Sequence, residues 1–168
     1  MNGIKRLCLI FTLMISSGVF AFAQTPGVKI VSVHPDLKIK ITRCEAAAKT
    51  VIIDLMFENV GSGDVKLYLK PGSGTAHTMS TAYDDEGNVY TSENFKVQLG
   101  TSVSYGWDAA SQTLPAGVPI KGRIKIEGVQ ESATVFKRID LWMSSGEWGF
   151  RDKVVKMTNV PISREGDE

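Results

Sequence analysis

The chain has 168 residues, 43% of them hydrophobic, and 19 Lys and Arg against 18 Asp and Glu give a formal net charge of +1. Both signs are mixed along it, and no run of Lys and Arg builds the basic field that phosphate-driven nucleic-acid binding needs, so that class is excluded. Its two cysteines, Cys8 and Cys44, and two histidines, His34 and His77, lack the closely spaced pairs of a zinc centre.

In chain order, Lys5 and Arg6 precede an apolar run over residues 7–22 that ends in Ala21-Phe22-Ala23. A positive start, an apolar stretch of roughly 15 residues and a small-x-small ending predict a secretory signal peptide over residues 1–23, whereas a spanning helix needs about 20 apolar residues. Cleavage after Ala23 leaves Gln24 first, with no Cys there to accept a lipid. The expected location is secreted, periplasmic or cell-surface, with no membrane span after leader cleavage. Residues 24–168 then fit a single domain of about 145 residues, able to bury roughly 70% of its unfolded surface. Without Lys5 and Arg6 that part carries a net charge near −1. Cys8 leaves with the leader, so Cys44 has no intramolecular disulfide partner and is expected as a small buried hydrophobe.

Residues 28–33 and 37–42 carry two short alternating runs separated by His34-Pro35-Asp36, where Pro35 lacks a ladder donor and Asp36 suits a turn. In the second run Leu37, Ile39 and Ile41 are expected inward, with Lys38, Lys40 and Thr42 in water. Glu45-Ala46-Ala47-Ala48-Lys49 is too short to offset helix nucleation and reads as a connecting turn. Residues 50–62 form the strand around which the chain is expected to be organised: Val51, Ile53, Leu55 and Phe57 share one side, Asp54 and Glu58 the other, and Asn59 and Gly61 close it.

Val65, Leu67 and Leu69 then alternate with Lys66, Tyr68 and Lys70 before the loop Pro71-Gly72-Ser73-Gly74, which lacks the Gly-Lys-Ser/Thr ending of a nucleotide-binding loop. Gly87 and Asn88 can supply the positive φ of a hairpin turn at Asp84-Asp85-Glu86-Gly87-Asn88. Phe95, Val97 and Leu99 alternate, and Val103, Tyr105 and Trp107 repeat the pattern. After Leu114-Pro115-Ala116-Gly117, residues Val118, Ile120, Ile124 and Ile126 oppose Lys121, Arg123, Lys125 and Glu127. Ile139, Leu141 and Met143 alternate with Asp140 and Trp142, and Ser144-Ser145-Gly146 turns the chain toward Trp148, Phe150 and a last run at 154–160. Residues 163–168 read as a polar, frayed tail. Short strands at about ten-residue spacing, without a helical period, predict an all-β, immunoglobulin-like antiparallel sandwich of roughly 7–9 strands.

The combination of Phe57-Glu58-Asn59-Val60-Gly61, Asp84-Asp85-Glu86-Gly87-Asn88-Val89-Tyr90, and Leu114-Pro115-Ala116-Gly117 leading into Gly122-Arg123-Ile124-Lys125-Ile126 resembles the telokin-like, immunoprotective-extracellular-protein family of small bacterial secreted domains. The resemblance covers roughly residues 28–143. It implies an immunoglobulin-like sandwich at the bacterial exterior with a binding or adhesive role, and it supplies no catalytic residues.

An enzyme reading finds only His34 and His77 as bases and Cys44 as the sole thiol, with no local motif joining them, so no enzyme and no cofactor are expected. Asp84 and Asp85 are weak metal candidates, because neighbours on a turning chain point apart and the DxDxDG spacing is absent. As a glycosidase pair they compete with plain solvated turn charge, as do Asp36 and Glu45. The candidate binding surface is Trp148, Phe150 and Arg151, two aromatics and a cation in a glycine-rich turn suited to a protein or glycan partner. The competing reading has Trp148 and Phe150 capping the core, and Trp107 and Trp142 are expected in the core or between sheets. The expected function is a binding or interaction module of the cell envelope. The runner-up is a carbohydrate-binding or hydrolase-inhibiting periplasmic protein.

Overall fold

A computed structural model describes residues 27–72, 79–105 and 108–164. The expected signal peptide, His77 and Trp107 lie outside them. The strands in chain order are β1 (Lys29–Val31), β2 (Leu37–Ala47), β3 (Thr50–Asn59), β4 (Val65–Lys70), β5 (Thr81–Asp84), β6 (Val89–Tyr90), β7 (Phe95–Leu99), β8 (Ser102–Tyr105), β9 (Ala110–Leu114), β10 (Ile120–Glu127), β11 (Val135–Ser145), β12 (Phe150–Pro161) and β13 (Ser163–Arg164). A single 3₁₀ turn, Ser92–Asn94, is the only helical element among the described residues. Seven strands form one sheet, ordered β1-β12-β11-β4-β9, in which β5, itself paired with β6, joins β11 at residues 136–140 on the edge that β4 occupies at residues 142–144, and six form the other, ordered β13-β2-β3-β10-β7-β8. The fold is therefore an all-β sandwich, antiparallel at every strand pair except β13 with β2. The strand count exceeds the expected 7–9 partly because β9 and β13 carry no alternating apolar signal and exist through their pairing partners.

The central strand is β3, held between β2 and β10. Val51, Ile53, Leu55 and Phe57 are at most 1% exposed and share one core with Leu67, Leu69, Ile139, Leu141, Met143, Val155 and Met157 of the facing sheet. The pleat sends every second side chain to the same face, so a one-residue slip would exchange core and solvent sides. Leu55→Ala is accordingly expected to cost about 2 to 5 kcal/mol, and Met56→Ala, half-buried on the outer face, about 1 or less. Denaturant midpoints of the two variants check the register, since equal losses would mean a strand buried on both faces.

Three features depart from the sequence reading. Glu45, Ala46 and Ala47 are strand and not turn, because they complete the ladder of β2 against Ile52, Val51 and Thr50, and only Ala48, at φ 49, and Lys49 turn the chain. Within β2 the register shifts between Ile41 and Arg43, so Thr42 is an extra residue and the inward parity passes from Leu37, Ile39 and Ile41 to Cys44. In β8 the side chains of Val103 and Tyr105 point out, 50% and 62% exposed, while Ser104 is buried. The inner side of β8 lies where the chain crosses to β9, and there Ser104 Oγ donates to the Asp108 carbonyl and Ser102 Oγ accepts the Ser111 amide. Buried backbone groups at that crossing need polar partners, and two serines supply them.

Two of the separated motifs meet at Asn59, which is fully buried. Its Nδ2 donates to the Gly63 and Leu114 carbonyls, its Oδ1 accepts the Gly61 amide at 3.0 Å, and its carbonyl accepts the Gly117 amide. One amide side chain thereby ties the end of β3 to the end of β9, across the two sheets. The tail is also partly docked: β13 pairs with Glu45 and Ala46, and Arg164 donates to the carbonyls of Gln130 and Ala133.

Candidate functional site

The turn between β11 and β12 carries the aromatic and cationic residues singled out in the sequence. Gly149 adopts φ 65 and its amide donates to the Gly146 carbonyl, closing a tight connection over Gly146-Glu147-Trp148-Gly149. The three candidates then part. Phe150 is only 8% exposed and belongs to the core, so it presents nothing to a partner, a correction of the expected surface role. Trp148 is half-buried, packed on the core and stacked on His34 with ring centroids 4.8 Å apart and planes 13° from parallel, and Phe150 lies 6.2 Å away. Arg151 is 90% exposed, its Nε 3.7 Å from Asp152. The turn is thus divided: Phe150 caps the core, whereas Trp148 and Arg151 remain accessible. His34 was outside the candidate set; only the loop between β1 and β2 brings it here.

The ring of His34 is engaged by Trp148, and its Nδ1 accepts the Asp36 amide at 3.2 Å. Cys44 is a buried free thiol whose pKa burial pushes up to about 12, with the neighbouring Glu45 adding to it, so it is held protonated at neutral pH. Asp84 and Asp85 serve the fold. Asp84 is 3% exposed and accepts from the Glu86 and Asn88 amides, Asn88 Nδ2 and the Tyr90 hydroxyl, while Asp85 turns away to accept the Thr134 amide and hydroxyl. No group of three or more His, Cys, Asp or Glu able to hold a metal occurs among the described residues.

Burial alone would raise the Asp84 pKa, but the hydrogen bonds from Asn88, Tyr90 and Glu86 outweigh it and hold the carboxyl below the ordinary range. The sign follows from linkage: a folded-state pKa below the unfolded one gives stability that is complete above about pH 4 and lost as pH falls through the folded value. Asp84→Asn is expected to be less stable than the parent at neutral pH and to decline less steeply in acid. Urea midpoints measured from pH 7 down to about 2 test this, and parallel curves for the two proteins would refute it.

The outer faces of the two sheets differ in chemistry. On the six-stranded sheet two carboxylates each join two cations: Asp54 sits between Arg43 at 2.7 Å and Arg123 at 2.6 Å, and Glu127 between Lys96 at 2.8 Å and Lys125 at 2.9 Å. The two lysines hold the Glu127 carboxyl down to about 2, and the two guanidiniums, against the upward push of burial, lower that of Asp54. Asp54 also floors a shallow hollow of about 280 Å³ with Met56, Gln98 and Lys121, but a carboxylate held ionised this way is a poor general acid at neutral pH.

On the seven-stranded sheet the outer face carries rings. Trp142, expected in the core, lies there half-buried, with Val154 and Lys70 as its register partners. Its alternation with Leu141 and Met143, which it shares with Asp140, was the signal that placed it outside; the size of the indole argued the other way. Tyr68 faces the same side opposite Ser144, and Tyr83, 37% exposed, lies opposite Arg138. Arg138 makes a two-pronged ion pair with Asp140 at 2.8 and 2.6 Å, and Lys70 binds Asp152 at 2.6 Å.

No protein-family model matches the chain, and no curated protein does. Among solved structures it is similar to a family 123 glycoside hydrolase from Clostridium perfringens studied for glycolipid glycan hydrolysis, at 10% identity and a TM-score of 0.42 over 83% of this chain. The chain spans 27% of that enzyme's length. It is also similar to AvmM, which catalyses macrocyclization in alchivemycin A biosynthesis, at 7% identity and a TM-score of 0.37, over 80% of this chain and 92% of AvmM.

Proposed function

We propose that this chain is a non-catalytic binding module that works outside the cytoplasm, in the periplasm or at the cell surface, and recognises a protein or glycan of the envelope. The observation that carries the reading is the turn between β11 and β12, where Trp148 is held by its stack on His34 beside the exposed guanidinium of Arg151. An aromatic ring fixed before the partner arrives loses little conformational entropy on binding, and Trp with Arg is the pairing enriched at the centres of interfaces. The export leader read in the sequence and the resemblance to telokin-like secreted domains agree with this placement. No helix among the described residues is long and apolar enough to cross a membrane.

An envelope pull-down and a glycan array, run side by side with the parent, Trp148→Ala and Arg151→Ala, test the reading. The parent should retain a specific partner that both variants lose, Arg151→Ala at an unchanged thermal midpoint and Trp148→Ala at a lower one but still folded at the assay temperature. Hydrolase activity that survives purification and disappears on substitution of His34 would instead restore an enzyme class. The compartment is tested separately: the intact mass of exported protein should start at Gln24, and a start before Ala21 would overturn the leader.

A further inference from the structure

We infer that the outer face of the seven-stranded sheet is a docking platform for an acidic polysaccharide, a surface distinct from the turn at Trp148 and independent of it. The strand register sets Tyr68, Trp142 and Tyr83 along the course of β11, from Ser144 to Arg138, a span of about 20 Å at the rise of an extended chain. Successive sugar rings of an extended chain can lie across aromatic side chains spaced along a strand, because an aromatic ring offers apolar area without a polar edge that must be satisfied.

Charge selects the acidic kind. The carboxylates of this face are Asp140 and Asp152; the first gives both oxygens to Arg138 and the second binds Lys70. Lys66 is exposed, with Nζ 5.4 Å from the centre of the Tyr68 ring, and Lys156 is exposed beside Asp140 in register. Neither lysine has an ion-pair partner among the described residues, so their ammonium groups flank the line of rings from both sides. The opposite sheet has ion pairs at Asp54 and Glu127 and also exposed lysines without one, Lys38, Lys40 and Lys121, but its outward ring is a single one, Tyr105 on the edge strand β8, among the described residues. A polyanion meets lysines on either sheet, and only here do they stand beside a row of rings along one strand. Trp142 and Tyr68 are half-buried and lie in the sheet surface, which suits a ligand that lies across the rings better than a bilayer, where protruding apolar anchors would be needed.

The test uses the full chain and three immobilised probes: polygalacturonate, neutral dextran, and vesicles of phosphatidylglycerol in phosphatidylcholine. Polygalacturonate should be bound at low salt and released by high salt, with dextran and vesicles not bound. Trp142→Ala, and separately Lys66→Gln with Lys156→Gln, should each weaken that binding roughly tenfold or more, while Lys121→Gln on the opposite sheet leaves it unchanged. Trp142→Phe guards against misfolding: it should keep the thermal midpoint and most of the affinity. Equal binding of vesicles, equal loss in Lys121→Gln, or no binding of polygalacturonate would overturn the platform. Loss through Trp148→Ala and not Trp142→Ala would overturn it too, moving the glycan to the turn and leaving the binding-module reading in place. If polygalacturonate is not bound and the envelope pull-down is also empty, both proposals fall.

Discussion

Phe57→Ala is expected to lower the unfolding free energy by about 3 to 5 kcal/mol, toward the upper end of the range for lost aromatic cores. The ring is fully buried and lies over Gly122 of the adjacent strand, so that a Cβ at position 122 would overlap Phe57 Cε2 and stand 3.0 Å from Cδ2. Truncation therefore opens a hole whose neighbour has no side chain to move into it, and the cavity term adds to the lost transfer free energy. The adjacent Glu58 is half-buried on the opposite parity, and Glu58→Ala should change stability by no more than about 0.5 kcal/mol. Chemical denaturation at unchanged slope reads both. A Phe57→Ala loss below about 1 kcal/mol would show that the ring does not fill the space over Gly122.

The second large effect is the reciprocal one. Gly122→Ala places a methyl group where the Phe57 ring stands and is expected to cost about 1 to 3 kcal/mol by overpacking. The two positions are coupled through one volume, which makes a stronger test than either alone. In the Phe57→Ala background the added methyl enters the vacated space, so Gly122→Ala should cost far less, with a coupling energy of about 0.5 to 3 kcal/mol. The Gln98 carbonyl oxygen, 3.2 Å from the added carbon, leaves a residual cost in both backgrounds. Strict additivity of the two substitutions would mean that the glycine is required by something other than the ring.

The central strand was legible because its alternation is long and its two parities differ in chemistry: four apolar side chains against Asp54 and Glu58, with the hairpin turn at Gly87, φ 87, equally plain in its residue types. The candidate site was legible in part. Trp148, Phe150 and Arg151 were found by composition, yet nothing local could say that Phe150 would be core or that His34 would stack on Trp148, since that contact joins two loops distant in sequence. For Trp142 the parity shared with Asp140 was present in the sequence and outweighed the usual burial of a large aromatic.

What the sequence determined by itself was the all-β class and the inward sets of β3, β4 and β7, because period-two alternation is a property of neighbouring residues and needs no knowledge of the partner strand. The tertiary structure alone decided which side of β8 is inside, where β2 shifts register, and which carboxylates are free. Val103 and Tyr105 are turned out because Ser102 and Ser104 hydrogen-bond to backbone groups near the start of β9. The bulge at Thr42 exists only against β3, and Asp84 and Asp85 are removed from ligand chemistry by donors on their own turn and on Thr134. In each case the deciding group is a hydrogen-bond partner set by the folded chain, and alternation along one strand carries no information about it.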